Sequence, residues 1–216
     1  MNEYCKINSI YKRTPKGQMV LGDYSENAFA LLEPCQWTFT EKVDGTNIRV
    51  GWDGQRIAFG GRSDAAQIPA FLVDRLRTLF LDDSVATAWF REHFPQGNVT
   101  LYGEGYGAKI QKGGGHYKPD GVDFVLFDVL AGDLWLERHN VIDVAEKLGV
   151  RPVPIIGHGT LADMVKIARR GFDSTWGPFT AEGIVARPVV ELRLRNGDRI
   201  ITKIKHKDFN NLADVA

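Results

Sequence analysis

The sequence predicts an α+β protein in which mainly antiparallel sheets are flanked by helices. Strand-like segments alternate with the turn dipeptides Asp53-Gly54 and Asn196-Gly197, which are strong type I′ hairpin signals. Hairpins favour antiparallel pairing of neighbouring strands. Apolar residues at helical spacing occupy three other segments, namely 69–94, 140–148 and 161–170.

The composition excludes several classes of protein. The 27 Lys and Arg residues balance the 27 Asp and Glu residues, so any site for a polyanion has to be a local concentration of basic residues. No signal peptide and no membrane-spanning apolar run is present. Cys5 and Cys35 lack metal-ligand spacing and are interpreted as free thiols. We expect a cytoplasmic globular protein with no membrane partner.

The first 36 residues contain a basic cluster, then a predicted strand at Met19–Leu21, and a helix that starts near Ser25 and ends before Pro34. The cluster is either a solvated face or a binding site, and a solvated face is the favoured interpretation because short charge clusters are usually solvated. Its members are Lys6, Lys12, Arg13 and Lys16.

The next strand, Trp37–Glu41, alternates aromatic and β-branched residues as a strand with one buried face does. It delivers Lys42 to a turn at Asp44-Gly45. A lysine has an ordinary pKa of about 10.4, so a nucleophilic lysine has to be desolvated or placed beside other cations. Lys42 is therefore either such a nucleophile or a surface lysine before a hairpin turn.

A hairpin of Asn47–Trp52 and Arg56–Gly60 follows and leads to a glycine turn at Arg62. Arg62 either points into a cleft or forms a salt bridge within the loop. Two helices then begin at Pro69 and Ser84, and we expect them to cover the sheet.

The strand Val99–Tyr106 carries Glu104, which taken alone is a solvated carboxylate. Residues 109–118 form a basic, glycine-rich loop without the P-loop pattern, and it either contacts phosphates or is a surface loop. The strand Asp123–Leu130 is almost continuously apolar, so Phe127 is interpreted in the first instance as a core residue.

The C-terminal third contains two helices around a predicted strand, Val153–Ile156, and then a hairpin whose first strand opens with Glu182. Because strand side chains alternate, Lys203 and Lys205 project from one face and Ile204 from the other. The alternative interpretation is an edge strand protected from aggregation by lysines.

In this order the motifs resemble those of the covalent nucleotidyltransferase superfamily, which contains ATP-dependent ligases and RNA capping enzymes. The resemblance is strongest to the RNA ligase 2-like branch, which includes the kinetoplastid RNA-editing ligases. DNA ligases and capping enzymes usually have arginine five residues after the lysine, where this chain has Asn47. Arg49 comes two residues later. The motifs are Lys42-x-Asp44-Gly45, Glu104, Phe127-Asp128, Glu182-Gly183 and Lys203-x-Lys205.

The resemblance implies a role for each motif. Lys42 would attack the α-phosphorus of ATP and form lysyl-AMP, while Lys203 and Lys205 hold the α-phosphate. Glu182, with Asp44, would hold Mg²⁺, which Mn²⁺ can replace. The nucleoside would be bound by the backbones of Glu41 and Val43, by Asn47, by the ring of Phe127, by Glu104 at the ribose, and by Arg62 at ribose or phosphate.

The resemblance also implies the domain organisation. We expect residues 1–216 to form a single minimal adenylyltransferase domain of ATP-grasp-like fold, with the segment 1–36 packed on it. No C-terminal domain and no OB-fold are expected. The partners would be nicked or single-stranded RNA ends, and an accessory protein or domain that grips the substrate.

Three functions follow from these observations. The first is an ATP-dependent RNA ligase acting in RNA repair, which joins a 5′-phosphate to a 3′-hydroxyl through enzyme–AMP and RNA–AMP. The second is a DNA ligase or guanylyltransferase that uses the same lysine. The third is a catalytically silent module that binds a nucleotide or RNA ends.

Overall fold

The computed structural model describes residues 1–82 and 84–213, which form helices and mainly antiparallel sheets as predicted. The strands are β1 (Asn8–Ser9), β2 (Tyr11–Arg13), β3 (Met19–Tyr24), β4 (Trp37–Glu41), β5 (Thr46–Trp52), β6 (Ile57–Gly60), β7 (Val99–Gly107), β8 (Val122–Ala131), β9 (Leu134–Trp135), β10 (Arg151–Pro152), β11 (Ile155–Gly159), β12 (Gly183–Pro188) and β13 (Thr202–Lys205). The α-helices are α1 (Asn27–Leu31), α2 (Ala70–Arg77), α3 (Ser84–His93), α4 (Gly114–Tyr117), α5 (Arg138–Lys147) and α6 (Leu161–Arg170). A π-helical turn covers Thr78–Asp82, and a 3₁₀ turn covers His206–Asn210.

The chain forms two compact units, each built from two stretches of sequence. The first unit contains Met1–Tyr4 and Asp44–Val153, and the second contains Cys5–Val43 and the residues from Pro154 onward. The chain therefore passes from one unit to the other directly after Tyr4, Val43 and Val153.

In the first unit the sheet has the strand order β10-β8-β7-β5-β6, and β9 pairs with β8. All pairs are antiparallel except β10 with β8. One sheet face packs against α2, α3 and α5 to form a core. The predicted apolar helix face is confirmed: Leu72 and Leu76 of α2 and Phe80 of the π-helical turn are fully buried in that core, and Leu79 is partly buried against it.

In the second unit the sheet has the strand order β1-β13-β12-β4-β11. Its pairs are antiparallel except β1 with β13, and β2 and β3 form a separate ribbon. The core contains Phe39 of β4, Ile184 of β12 and Ile204 of β13. Helix α6 buries Leu161 and Met164 in this same core. No helix in residues 1–82 or 84–213 is long and apolar enough to cross a membrane.

Both glycine turns are present, but their predicted type is wrong. A type I′ turn needs positive φ at both central residues, whereas here Gly54 (φ 99°) and Gly197 (φ 90°) have positive φ and their neighbours Asp53 and Asn196 do not. At the first turn the Asp53 carboxylate accepts the backbone N–H groups of residues 55 and 56. This side-chain capping stabilises a wider, four-residue loop.

The predicted strand at Val153–Ile156 is also wrong, because the structure divides this region between β10 and β11, which belong to different units. Pro152 and Pro154 lack backbone N–H groups and interrupt any continuous ladder. The basic loop 109–118 contains the short helix α4. Strand β4 is buried on both faces rather than one, and on the second face the hydroxyls of Thr38 and Thr40 hydrogen-bond to His158 and to the Val185 carbonyl.

A carboxylate on β8 ties α2 to the first sheet and gives that unit a pH-dependent contact. Asp123 accepts hydrogen bonds from Arg75 (3.0 and 3.3 Å) and Lys118 (2.7 Å). Partial burial raises the pKa of Asp123, but the bonds from Lys118 and Arg75 outweigh it and leave the pKa below its ordinary value. A lowered pKa in the folded state stabilises the fold above the unfolded pKa, and this contribution disappears as the pH falls through the folded value.

We therefore expect Asp123→Asn to lower the melting temperature at pH 7, and the difference from wild type to shrink as the pH falls below about 4. Thermal melts over a pH series measure both effects. Asp120→Asn, at an exposed position nearby, removes the same charge and should leave the melting temperature at pH 7 unchanged. A constant difference between Asp123→Asn and wild type at every pH would contradict the assignment.

Candidate active site

The strand topology of the second unit gathers three charged residues at one end of its sheet. Strand β12 runs antiparallel to both β4 and β13, so its beginning lies beside their ends. Lys42 follows β4, Glu182 precedes β12, and Lys205 ends β13. The pairing continues past the strand ends, because Lys42 N donates to Gly183 O and His206 N donates to Glu182 O, each at 2.9 Å.

Glu182 bridges the two lysines, and we call these three residues the lysine centre. Lys42 Nζ donates to Glu182 Oε2 at 2.6 Å, and Lys205 Nζ donates to Glu182 Oε1 at 2.6 Å. The side chains are 20%, 12% and 28% exposed for Lys42, Glu182 and Lys205. Charge-assisted hydrogen bonds between partly buried side chains hold those side chains in fixed positions. With two ammonium groups and one carboxylate, the lysine centre suits an incoming anion.

Lys203 lies on the same sheet face as the lysine centre, as predicted. Thr202 and Ile204 are buried on the opposite face, while Lys203 and Lys205 are partly exposed. The alternative interpretation of β13 as an edge strand protected by lysines is wrong, because β13 lies between β1 and β12. The lysines at positions 203 and 205 therefore need another explanation.

Gly183 lets the backbones of β12 and β13 approach closely behind Glu182. A methyl group on Gly183 would lie 2.1 Å from Ile204 O and 2.7 Å from Lys205 Cα. These are backbone atoms of the neighbouring strand, so a side chain here would separate the two strands. The glycine in the predicted Glu182-Gly183 motif thus has a packing reason.

Gly183→Ala is expected to lower the free energy of unfolding by about 1–3 kcal/mol and to weaken the Glu182–Lys205 contact. Urea unfolding measures the first effect. Gly115→Ala is the matched control, because a methyl group there would meet nothing within 4 Å. We expect that control to change the free energy of unfolding by less than about 0.5 kcal/mol. Equal unfolding midpoints for the two variants would refute the role given to Gly183.

The Glu41 side chain is engaged in hydrogen bonds within the protein, and it anchors the loop that precedes Glu182. It is 1% exposed and accepts hydrogen bonds from Ser174 Oγ (2.5 Å), Thr175 N (2.9 Å) and Thr175 Oγ1 (2.8 Å). A buried carboxylate is tolerated when its oxygens are hydrogen-bonded in this way. Glu41 thereby ties the residue before Lys42 to the loop that leads to Glu182.

The backbone of Glu41 is placed to offer one polar group. Its N–H donates to Pro154 O at 3.0 Å on the β11 side. Proline has no N–H, so Pro154 cannot return a hydrogen bond to the Glu41 carbonyl. That carbonyl can accept a hydrogen bond from an amino group, as the predicted contact with an adenine edge requires. Val43, the other predicted backbone contact, is buried two residues further along the chain.

Three of the predicted nucleoside residues share one sheet face in the first unit. Asn47 of β5 lies directly opposite Glu104 of β7, and the alternation of side chains places both on the face that is not packed against the helical core. Phe127 of β8 belongs to this face too, because its neighbour Leu126 points into the core. The predicted grouping of these residues is therefore present within this unit.

Phe127 is not a core residue, so its first interpretation is wrong. The pairing of β7 with β8 shifts at this point: Tyr102 opposes Asp128, and Gly103 opposes Leu126. Phe127 is the extra residue of this β-bulge, and bulges commonly re-aim a side chain beside a functional site. Its ring is half-buried and meets Tyr4 edge-on with centroids 5.0 Å apart.

The remaining predicted residues of the first unit lie in its turns. Asp44 N donates to the Tyr117 hydroxyl at 3.3 Å. Arg62 is exposed. Asp64, in the same turn as Arg62, forms an ion pair at 2.8 Å with the fully buried Arg49. Arg49 is therefore a structural residue.

The residues present fit a magnesium ion that is bound largely by substrate. Within the described ranges no group of three or more His, Cys, Asp or Glu side chains forms a metal cage. Mg²⁺ usually needs only one or two carboxylates when phosphate oxygens and waters complete its shell. Glu182 can supply one such carboxylate when a phosphate binds the two lysines and so releases the carboxylate from them.

Four supporting residues escaped the sequence reasoning. The Ser174 and Thr175 hydroxyls and Pro154 act through hydrogen bonds to Glu41, which is distant in sequence, so the sequence does not display them. Asp208, 6% exposed, accepts from Lys205 N at 3.1 Å and pairs with Arg13 at 2.8 Å. A signal for Asp208 exists, because an acidic residue three positions after Lys205 is a helix-capping pattern.

Comparison with known proteins supports this description. The model of the RNA ligase family matches residues 36–205. Structures of the RNA ligase of Naegleria gruberi share the fold: a mutant with AMP and Mn (TM-score 0.64, 19% identity, 85% of this chain and 53% of that chain), a mutant with ATP and Mn (0.65, 19%, 92% and 57%), and the protein with PPi (0.64, 20%, 95% and 62%). This chain spans between half and two thirds of their length.

Proposed function

The chain belongs to the RNA ligase family, and from this premise we propose that it is an ATP-dependent RNA ligase. It would join a 5′-phosphate to a 3′-hydroxyl through lysyl-AMP and RNA-adenylate. The observation that carries the proposal is the contact of one carboxylate, Glu182, with the two lysines Lys42 and Lys205 at adjacent strand ends.

In the first step Lys42 Nζ attacks the α-phosphorus of ATP. A nitrogen–phosphorus bond forms, the bond between the α-phosphorus and the bridging oxygen breaks, and pyrophosphate leaves with the electron pair. Nζ starts as an ammonium group and gives up two protons, one before the attack, which frees its lone pair, and one after the nitrogen–phosphorus bond has formed. Glu182 Oε2, at 2.6 Å, is within hydrogen-bond distance to accept one of them, and the other passes to solvent. The backbone bond of Lys42 to Gly183 holds the nucleophile at this place.

Lys205 and Lys203 would stabilise the negative charge that grows on the phosphate oxygens. Fixed cations aimed at such charge lower the barrier without a cost of reorientation during the reaction. Lys205 is already fixed on both sides, since Glu182 holds its side chain and Asp208 holds its backbone N–H. An arriving α-phosphate would replace Glu182 as the partner of Lys205.

We propose Glu182 and Asp44 as the residues that hold Mg²⁺, which Mn²⁺ can replace. When bound, a divalent ion polarises phosphoryl oxygens and orients the leaving group. Asp44 has a fixed backbone, because its N–H donates to Tyr117.

The proposed nucleoside contacts come from the end of β4, from strands β5, β7 and β8, and from the turn at Arg62. We propose that the Glu41 carbonyl and the Val43 backbone contact the adenine edge and that Phe127 stacks on its face. Glu104 would accept hydrogen bonds from the ribose hydroxyls, with Asn47 beside it in register. Arg62 would contact ribose or a terminal phosphate, which its exposure permits.

RNA ends, nicked or single-stranded, are the proposed substrates, and an accessory protein or domain would help to grip them. We place the reaction in the reducing cytoplasm, where the thiols of Cys5 and Cys35 stay free.

Incubation with α-labelled ATP and a divalent metal, followed by denaturing electrophoresis, tests the proposal. We expect a covalent protein–AMP label from ATP but not from GTP, and joining of RNA ends in preference to DNA ends. Label from GTP would indicate a guanylyltransferase, and preferred joining of DNA would indicate a DNA ligase. Absence of any label would indicate a silent binding module.

Phe127→Ala is expected to weaken ATP binding about 10- to 100-fold, because stacking of a base on an aromatic ring contributes about 1–3 kcal/mol. Phe127→Tyr and Phe127→Trp should keep the affinity. A binding titration beside a thermal melt measures this. The matched control is Phe124→Ala, three residues earlier in the core, which should cost about 3–5 kcal/mol of stability. Unchanged ATP affinity in folded Phe127→Ala would exclude the stacking role.

A further inference from the structure

The basic cluster of the first 16 residues is exposed to solvent, as predicted, and three of its members also line a groove. Within the second unit, Lys6, Lys12 and Arg13 line a cavity of about 400 Å³, which we call the N-terminal groove. Lys203 of β13 lines it as well. Glu26 is the carboxylate among the described lining residues, and it accepts a hydrogen bond from Asn8 at 2.9 Å. The size is within the range of ligand-binding cavities.

The ion pairs around the groove orient its cations. Lys12 pairs with Asp23 at 2.8 Å, and Arg13 pairs with the buried Asp208 at 2.8 Å. Neither aspartate is among the described residues that line the groove, so an anion that enters meets the cationic partner of each pair. Because the whole chain has a formal net charge of zero, this is the kind of local basic concentration that a polyanion site requires.

The groove adjoins the lysine centre through strand β13. Ser9 of β1 lies beside Lys203 in the parallel pairing, and both line the groove. Lys203 and Lys205 project from the same face of β13, about 7 Å apart along the strand. Lys203 thus lies between the groove and Lys205, which contacts Glu182 of the lysine centre.

We propose that the N-terminal groove binds the phosphate backbone of the RNA strand next to the end that reacts. This inference rests on the proposed function and names the part of the protein that holds its RNA substrate. Several phosphates are required, because the cations come from the segment before β1, from β2 and from β13. Binding should be independent of base sequence, since the ring of the lining residue Tyr11 is buried against Tyr24 and offers no stacking face.

The test compares two double variants that remove the same charge. Lys6→Gln/Lys12→Gln changes the groove. Lys16→Gln/Lys166→Gln changes two exposed lysines of the same unit that are not among the described lining residues. Each pair contains one ion-paired lysine, Lys12 with Asp23 or Lys166 with Asp163. Binding of a fluorescent 5′-phosphorylated single-stranded RNA is measured over a salt series, and labelling with α-labelled ATP is measured in parallel.

We expect the groove variant to lose about tenfold or more in RNA affinity at low salt. Its slope of log affinity against log salt should flatten by about 1.4, since each phosphate contact on a single strand contributes about 0.7. Its rate of lysine labelling should equal that of wild type. The control variant should bind RNA within about twofold of wild type.

The outcomes separate this inference from the proposed function. Two outcomes would overturn the proposed role of the groove: wild-type RNA affinity in both variants, or the same loss of RNA affinity in both variants. A raised KM for ATP in the groove variant, with RNA binding unchanged, would also overturn this role. It would indicate that the groove binds the triphosphate of ATP. Groove-dependent RNA binding in a protein that takes no AMP label would support the groove while refuting the ligase.

Discussion

Lys42→Ala and Lys42→Arg are both expected to abolish the covalent AMP label, with the rate of labelling lowered by at least about 10³-fold, as for loss of other catalytic nucleophiles. Alanine removes the nucleophile, and arginine stays protonated and cannot attack. The wild-type label should resist alkali and be lost in acid, as a phosphoramide is. Gel autoradiography after each treatment measures both properties.

Lys166→Ala is the control for this experiment, since that exposed lysine belongs to the same unit and pairs with the helix-capping residue Asp163. Labelling of Lys166→Ala should match wild type. RNA that already carries a 5′-adenylate bypasses the first step, so Lys42→Ala should still join it. Retained label in Lys42→Ala would remove this residue from the role of nucleophile.

Glu182→Ala is expected to impair both the labelling of the enzyme and the joining of pre-adenylylated RNA, each by about 10²-fold or more. The carboxylate contacts Lys42 and Lys205, so its loss leaves the two ammonium groups to repel each other and removes a proposed metal ligand. This distinguishes it from Lys42→Ala, which should lose only the first step. Single-turnover assays of each step measure the difference.

Glu146→Ala, an exposed carboxylate on α5, controls for the loss of one negative charge and should leave both steps unchanged. Glu182→Gln is a second informative variant, because it keeps the shape of the side chain. If Glu182→Gln joined pre-adenylylated RNA at the wild-type rate, the charge of this residue would be irrelevant after the first step, and the metal role would be wrong.

The sequence was sufficient for the features that depend on periodicity. The two-residue repeat of a strand places Lys203 and Lys205 on one face, and the structure has them there. The features that depend on pairing between distant segments were not accessible. The bulge at Phe127 follows from the register of β7 with β8, and the position of Pro154 beside Glu41 follows from the neighbour of β4.

The same limit explains the wrong interpretations. A lysine-rich strand fits a sheet edge as well as a sheet interior until its neighbours are known, and β13 acquires β1 as a neighbour from the other end of the chain. Phe127 lies in an apolar run whose composition is that of a buried strand, and only the extra residue in the register turns its ring away from the core.

The lysine centre also has a consequence for biogenesis. Lys42 and Glu182 are 140 residues apart in sequence, and closing a loop of that length costs about 4 kcal/mol of chain entropy. Contacts between segments this far apart are associated with slow folding. A nascent chain carries Lys42 long before Glu182 and Lys205 have left the ribosome, so Lys42 at first lacks its carboxylate partner. If Lys42 has the proposed role, the order of synthesis delays its reaction with ATP until the sheet of the second unit can close.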